Sequence, residues 1–248
     1  MESYSDFAAL YDEFMEDVPY DEWCRCIVNK LRAYGIDEGI VLDLGCGTGE
    51  VTFRLQKEGY DMIGIDNSDD MLGIAQKKCQ NDDSILFLCQ DMREFELYGT
   101  VRAVVSVCDC VNYITDPNEL VLVFKLVNNY LDPDGIVVFD FNTDVKYSQI
   151  GESTIAENRE DASFIWENWY DEESKINEYD ITFFVKEGKL YRKFEESHFQ
   201  RGYSYEEMVN IIEQSGMEFL ESFDADTKGA VTPLSERIVI IAREKGKK

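Results

Sequence analysis

The ten residues VLDLGCGTGE, Val41 to Glu50, constrain the fold of this chain more than any other stretch. A short apolar run, IVLDL at 40–44, passes directly into Gly45-Cys46-Gly47-Thr48-Gly49, and helical periodicity follows from Glu50 to Glu58. Strand, glycine turn and helix in that order open a βαβ unit. They place backbone at the carboxyl end of a parallel strand, where open α/β sheets bind ligands. The same rhythm continues to about residue 142. Strands are predicted at DMIGID (61–66), SILFLC (84–89), VRAVVSVC (101–108) and GIVVFDF (135–141). Helices are predicted at 20–34, from a Ser68 cap to about Gln80, and over 117–130, where Pro117 sits in the first turn and LDPDG follows. Ahead of them, Phe7, Leu10, Tyr11 and Phe14 recur at helical spacing in 5–16, before Val18-Pro19. Continuous apolar strands alternating with helices call for a parallel sheet covered on both faces.

Beyond residue 150 the period changes from helical to two. Segments 163–171, 175–187 and 189–201 alternate apolar and polar residues, joined by a DEES turn and by Glu187-Gly188. They predict an antiparallel sheet inserted into the α/β core. A helix capped by Ser204 and ended near Gly216 follows, then two closing strands at 217–223 and 235–243.

Charge and cysteine content narrow the function classes. Fifty-one acidic against 24 basic residues give a net charge of −27. A field of that sign repels phosphate backbones and anionic lipid surfaces, which weighs against nucleic-acid and membrane partners. The stretch MESYSDFAALYDEF has no basic start followed by an apolar run, so no signal peptide is expected there. Seven cysteines, an odd number in a chain of 248 residues, fit a reducing cytoplasm better than a disulfide framework. One histidine and no Cys-x-x-Cys pair predict no metal site.

The glycine loop itself discriminates between ligands. A dinucleotide fingerprint would place its third glycine at residue 50, which is Glu. The pattern G-x-G-x-G is one residue tighter, with Asp43 two residues before it. A diphosphate beside Asp43 and Glu50 would be repelled, by on the order of 4 kcal/mol for one like-charge pair at about 4 Å and an effective dielectric of about 20. S-adenosylmethionine (SAM) carries a sulfonium, an ammonium and one carboxylate, so its net charge is positive. Asp43 could then face the ammonium side while loop amides take the carboxylate or the adenosine. Asp66, closing the second strand, is placed to accept both ribose hydroxyls. After the third strand, Asp91 could accept from the adenine amine with Met92 against the ring. At the end of the fourth strand, the Cys108 carbonyl could accept from the ammonium.

VLDLGCGTG, GIDNSDDML, CQDM, VVSVCDCVNYI and LDPDGIVVFD together resemble the class I SAM-dependent methyltransferases. The resemblance covers about 40–142 closely and 204–243 more loosely. It implies a Rossmann-like α/β fold: a seven-stranded, mostly parallel sheet of order 3-2-1-4-5-7-6 with the seventh strand antiparallel. N-terminal helices and an antiparallel β insertion would form a lid. It implies one methyltransferase domain over 1–248, with a helical cap at 1–35, a SAM-binding core at 36–148 and 203–248, and the insertion at 149–202. The pattern Tyr4…Tyr11-Asp12…Pro19-Tyr20-Asp21-x-Trp23 and the insertion are similar to a bacterial small-molecule subgroup, including sugar-amine and glycine-type N-methyltransferases. There the N-terminal helices close over SAM. The implied cofactor contacts are Tyr11, Trp23, Asp43, Gly45, Cys46, Gly47, Asp66, Asn67, Asp91, Met92 and Cys108.

Methyl transfer from a sulfonium needs little acid catalysis. The protein aligns a nucleophile and excludes water, and a base is needed only if the acceptor arrives protonated. Candidates for that base are Asp109 and Tyr113 in CDCVNYI, His198 in the insertion, and Asp12. Insertion aromatics such as Trp166 and Tyr179 could box an amine, and Arg201 and Tyr203 could anchor a carboxylate or hydroxyl. The expected function is methyl transfer to N or O of a small-molecule acceptor, leaving S-adenosylhomocysteine. An RNA or protein methyltransferase, a nicotinamide oxidoreductase and a non-catalytic SAM-binding regulator are the alternatives. A homodimer through the insertion sheet stays open.

Overall fold

A computed structural model describes residues 12, 14–16, 18–79 and 84–247. Tyr11 and most of the helix expected over 5–16 lie outside them. Helix α1 (Tyr20–Ala33) buries Tyr20, Cys24, Ile27, Val28 and Leu31, a stripe at three- and four-residue spacing. Asp21 and Glu22 stand in its first turn and Lys30 and Arg32 in its last, matching the helix dipole.

The α/β core then runs β1 (Ile40–Leu44), α2 (Glu50–Lys57), β2 (Asp61–Asp66), α3 (Asp69–Lys78), β3 (Leu86–Cys89), β4 (Val101–Ser106), α4 (Pro117–Tyr130) and β5 (Leu131–Asn142). Ser68 caps α3 by accepting the Met71 amide at 3.3 Å. Helix α5 (Asp144–Ile150) leads into β6 (Ser153–Asn158), β7 (Ala162–Asp171), β8 (Ile176–Glu187) and β9 (Leu190–Arg201). Helix α6 (Tyr205–Gln214) and strands β10 (Glu218–Asp224) and β11 (Arg237–Arg243) complete the chain.

The main sheet has the order β10-β11-β5-β4-β1-β2-β3, the expected 3-2-1-4-5-7-6 read from the other edge. Strand β11 lies antiparallel to both β5 and β10, and the pairings among β1–β5 are parallel. Successive residues of a strand feed opposite faces: Val41 and Val105 pack towards α1 and α2, Leu42 and Val104 towards α4 and α6. That is why the central strands read as unbroken apolar runs.

Three local expectations are corrected. LDPDG is not a turn before β5 but a bulge within it. Val101 pairs with Leu131, Ala103 pairs with Ile136, and the intervening residues loop out with Asp134 at φ 63°. Strand β4 stops at Ser106, because Cys108 and Asp109 take left-handed backbone at φ 67° and 51°. The second sheet has four strands, β6-β7-β8-β9, not three. Its edge strand STIAEN is too polar and exposed to show period two.

Candidate active site

The glycine loop is built for shape before it is built for donation. Gly45, Gly47 and Gly49 have φ of +86°, +52° and +85°, a region that L side chains resist. A Cβ on Gly45 would also meet the Cys110 thiol at 2.7 Å and Met92 Cε at 3.7 Å, whereas one on Gly47 would meet nothing within 4 Å. Gly47 therefore borders open space, with Met92 and Cys110 packed beside Gly45.

Four of the five loop amides expected to hold a ligand carboxylate are already engaged. Gly45 and Cys46 donate to the Ile65 carbonyl at 2.8 and 2.9 Å, Gly49 to the Cys46 carbonyl at 2.9 Å, and Gly47 to Asp66 Oδ2 at 2.8 Å. What the loop still offers is the Thr48 amide and carbonyl oxygens, each with a second lone pair. Such a cradle holds few donors for a diphosphate and acceptors for a cationic ligand.

Asp66 is fixed by backbone on both oxygens, since the Ser68 amide donates to Oδ1 at 2.9 Å. Each oxygen keeps lone-pair capacity for one further donor, as a ribose diol requires. Burial pushes its carboxyl above the usual range, against the pull of the Ser68 and Gly47 amides. Asn67, next to it, is exposed.

The flanking acids do not present bare charge. Asp43 is 2 % exposed and accepts the Thr52 hydroxyl at 2.5 Å. Burial, reinforced by Asp66 and opposed by Thr52, pushes it up to about 7. Glu50 is paired with Lys78 at 2.7 Å and with Arg54, so it does not repel an anion as the sequence alone implies. Lys78 also holds Asp12 at 2.7 Å, and Thr48 Oγ1 donates to Asp12 at 2.6 Å. The segment before α1 is thus tied to the loop. A groove of about 880 Å³ between α1 and α2 lies behind this ion cluster, lined by Arg25, Arg54, Lys57 and Lys78 among others.

Asp91 follows β3, but its carboxylate is held by its neighbour Arg93, with Nε at 3.0 and 3.1 Å from the two oxygens. That guanidinium keeps Asp91 below the usual range. Cys46 is buried, its sulfur packed where a Cβ on Gly64 would stand.

At the end of β4, Asp140 shapes the turn. It accepts the Asp109 amide at 2.8 Å and the Cys108 amide at 3.4 Å, and it pairs with Arg237. Trp23 stacks over that guanidinium at 4.1 Å. It lines a small pocket with Val107 and Asp140 beside the β4 turn.

Three of the four candidate bases converge on one junction with the second sheet, and the fourth, Asp12, lies at the glycine loop. Asp109 accepts Gln200 Nε2 at 2.5 Å, and Gln200 Oε1 accepts the Tyr147 hydroxyl at 2.8 Å. Burial pushes the Asp109 carboxyl up, with Lys146 and Arg237 opposing. The Tyr113 hydroxyl lies 2.7 Å from that of Tyr179 and 3.3 Å from His198 Nδ1. His198 stacks on Tyr179 at 4.9 Å, and burial lowers its affinity for a proton. Asn112 fastens the turn further, donating to the carbonyls of Asn142 at 2.8 Å and Arg201 at 2.7 Å. Arg201 pairs through Nη2 with Glu207 at 2.8 Å while its buried Nη1 has no hydrogen-bond partner among the described residues, and the Tyr203 hydroxyl donates to the Ile114 carbonyl. Phe14 packs on Phe164 at 4.9 Å and Phe183 at 5.7 Å, so the N-terminal segment runs from the glycine loop to the second sheet.

Asp140, Thr52 and Gln200 were not singled out by the sequence reading. Asp140 alone had a visible signal, a carboxylate inside the apolar strand GIVVFDF. Among the described residues no cluster of three or more His, Cys, Asp or Glu could hold a metal ion, and no helix is long and apolar enough to cross a membrane.

The fold is a nucleotide-type α/β sheet with a glycine loop after β1 and an appended antiparallel sheet. Comparison with known proteins gives the class. A family model described as a methyltransferase domain matches residues 41–135. YqeM of Bacillus subtilis (strain 168), a provisionally named methyltransferase, is 38% identical over 244 residues, 97% of each chain. The crystal structure of a SAM-dependent methyltransferase from Clostridium acetobutylicum ATCC 824 superposes with a TM-score of 0.89 at 28% identity, covering 98% of this chain and 99% of that one. A dTDP-3-amino-3,4,6-trideoxy-alpha-D-glucopyranose N,N-dimethyltransferase of Streptomyces venezuelae is 32% identical over 137 residues, 54% of this chain and 56% of its own. The chain belongs to the class I SAM-dependent methyltransferases.

Proposed function

We propose that this enzyme methylates a nitrogen or oxygen of a small-molecule acceptor, held between the turn after β4 and the inner face of the β6–β9 sheet. The observation that carries the reading is the junction of Asp109 and Tyr113 with Gln200, Tyr179 and His198. It gathers aromatic rings, an amide, an imidazole and one carboxyl on the acceptor side, a set that suits a small polar molecule. The amino-sugar dimethyltransferase among its relatives is consistent with an acceptor of this size.

When bound, the cofactor supplies an electrophilic methyl group on a cationic sulfur. In this reading Asp66 would hold the ribose hydroxyls, Met92 would pack against the adenine, and the Cys108 carbonyl would accept from the ammonium. Asp91 contributes through what capacity Arg93 leaves it, and Trp23 supports the site from behind Arg237. The lid and the N-terminal segment exclude water, which strengthens each electrostatic contact inside. The Tyr113 hydroxyl, within hydrogen-bond reach of Tyr179 and His198, would take a proton from the acceptor and pass it to His198 Nδ1. Burial keeps that imidazole neutral near pH 7 and able to receive it.

The test offers methyl-labelled SAM and the full chain to metabolite, RNA and protein fractions of a cell extract. Label is expected among the metabolites. Label confined to RNA or protein would overturn the proposal.

A further inference from the structure

The inner face of the second sheet holds an acid that the mechanism above does not use. Glu196 lies on β9 between Phe194 and His198, opposite Ile181, which in turn pairs with Trp166. It is only 4 % exposed, and its Oε1 has no hydrogen-bond partner among the described residues. Two aromatic stacks frame it. On one side His198 lies on Tyr179 at 4.9 Å and Tyr179 on Trp166 at 4.7 Å; on the other, Phe183 lies on Phe194 at 5.0 Å. The face is turned towards the turn after β4, as the Tyr113–Tyr179 and Asp109–Gln200 contacts show, and so towards the acceptor side proposed above. Along the strand, Glu196 is one side-chain pair, about 7 Å, beyond His198.

A side chain serving only to pack at this register would be apolar, like Ile181 and Phe194 beside it. A buried carboxylate with an open oxygen is costly unless something satisfies it. A neutral hydroxyl could donate one hydrogen bond, but a cation gains more. It meets a full charge shielded from water, and the faces of Trp166 and Tyr179 attract cations as well. An anion would be repelled.

We infer that Glu196, framed by Trp166, Tyr179 and Phe194, is the specificity residue of the acceptor site and binds a protonated amino group of the acceptor. The substrate class is therefore amine-bearing small molecules. This rests on the reading of the acceptor as a small molecule, which the labelling experiment tests separately.

The experiment is isothermal titration of the full chain, preloaded with S-adenosylhomocysteine, with cyclohexylamine and with cyclohexanol, two probes of similar shape that differ in charge. Wild type is expected to bind the amine at least about 10-fold more tightly, a difference of about 1.4 kcal/mol. Glu196→Gln keeps the shape and removes the charge, and should reduce the preference to about 2-fold or less. Glu196→Asp should retain most of it. A structural role alone would leave the ratio unmoved. Equal binding of both probes by wild type, no binding of either, or an unchanged ratio in Glu196→Gln would overturn the inference, and the wild-type ratio decides even if the glutamine variant does not fold. Label found only on uncharged, hydroxyl-bearing metabolites would overturn it too while leaving the proposed function standing. Label in RNA or protein would instead remove that function.

Discussion

Gly47 and Asp66 at the loop end are 19 residues apart, and backbone amides hold the carboxylate in place. At the lid end, Asp109 reaches Gln200 across 91 residues and Tyr113 reaches His198 across 85, through side chains alone. A site made of backbone tolerates change in most side chains around it but not in its glycines or its single acceptor. A site made of long-range side-chain contacts depends on the docking of a whole sheet and can be retuned one residue at a time. The first arrangement suits a ligand common to a large family, the second an acceptor particular to this enzyme.

The comparison can be broken at the loop end by Asp66→Ala. Two charge-assisted hydrogen bonds of about 1.5–3 kcal/mol each would be lost, so the dissociation constant for SAM should rise on the order of 10²- to 10⁴-fold in calorimetric titration. A change below about 5-fold would show that the ribose lies elsewhere.

Arg237→Ala tests the floor beneath the lid end. It leaves the Asp140 carboxylate buried and unpaired, its side chain only 5% exposed. Losing one partner of a buried pair costs about 3–5 kcal/mol, to be read in denaturant unfolding. A loss under about 1 kcal/mol would mean that the Cys108 and Asp109 amides suffice to hold Asp140.

A pH series sharpens the contrast at the loop end. Asp43 sits at about 7 in the fold against an ordinary value of 3.8, so the folded state binds the proton more tightly than the unfolded chain. Its contribution to stability is complete below about pH 4 and is lost as pH rises through 7. At about 1.4 kcal/mol per pH unit, the stability difference between wild type and Asp43→Asn should shift by on the order of 3 kcal/mol between pH 4 and 7.5. Parallel curves for the two proteins would place Asp43 in water, not under Thr52.

The residues of VLDLGCGTGE, Asp66 and the apolar strand runs already determined the α/β core, its strand order through family resemblance, and a preference for SAM. Those features are local: glycine backbone, period and strand ends are written in neighbouring residues. Sequence counted Glu50 as free negative charge, but Lys78, 28 residues on, neutralises it, and the preference for a cation rests instead on a loop four of whose five amides are engaged.

Tertiary structure alone decided the rest. The left-handed turn at Cys108 and Asp109 depends on Asp140 and Arg237, which no pattern around CDCVNY announces. The polar edge strand β6 exists because β7 offers it a ladder, not because its residues alternate. Glu196 looks like any surface acid in KFEESHFQR until strand parity turns it inward beside Phe194 and His198. Charge pairing, burial and facing are properties of contacts between distant residues, and a linear sequence carries them only once the chain has closed on itself.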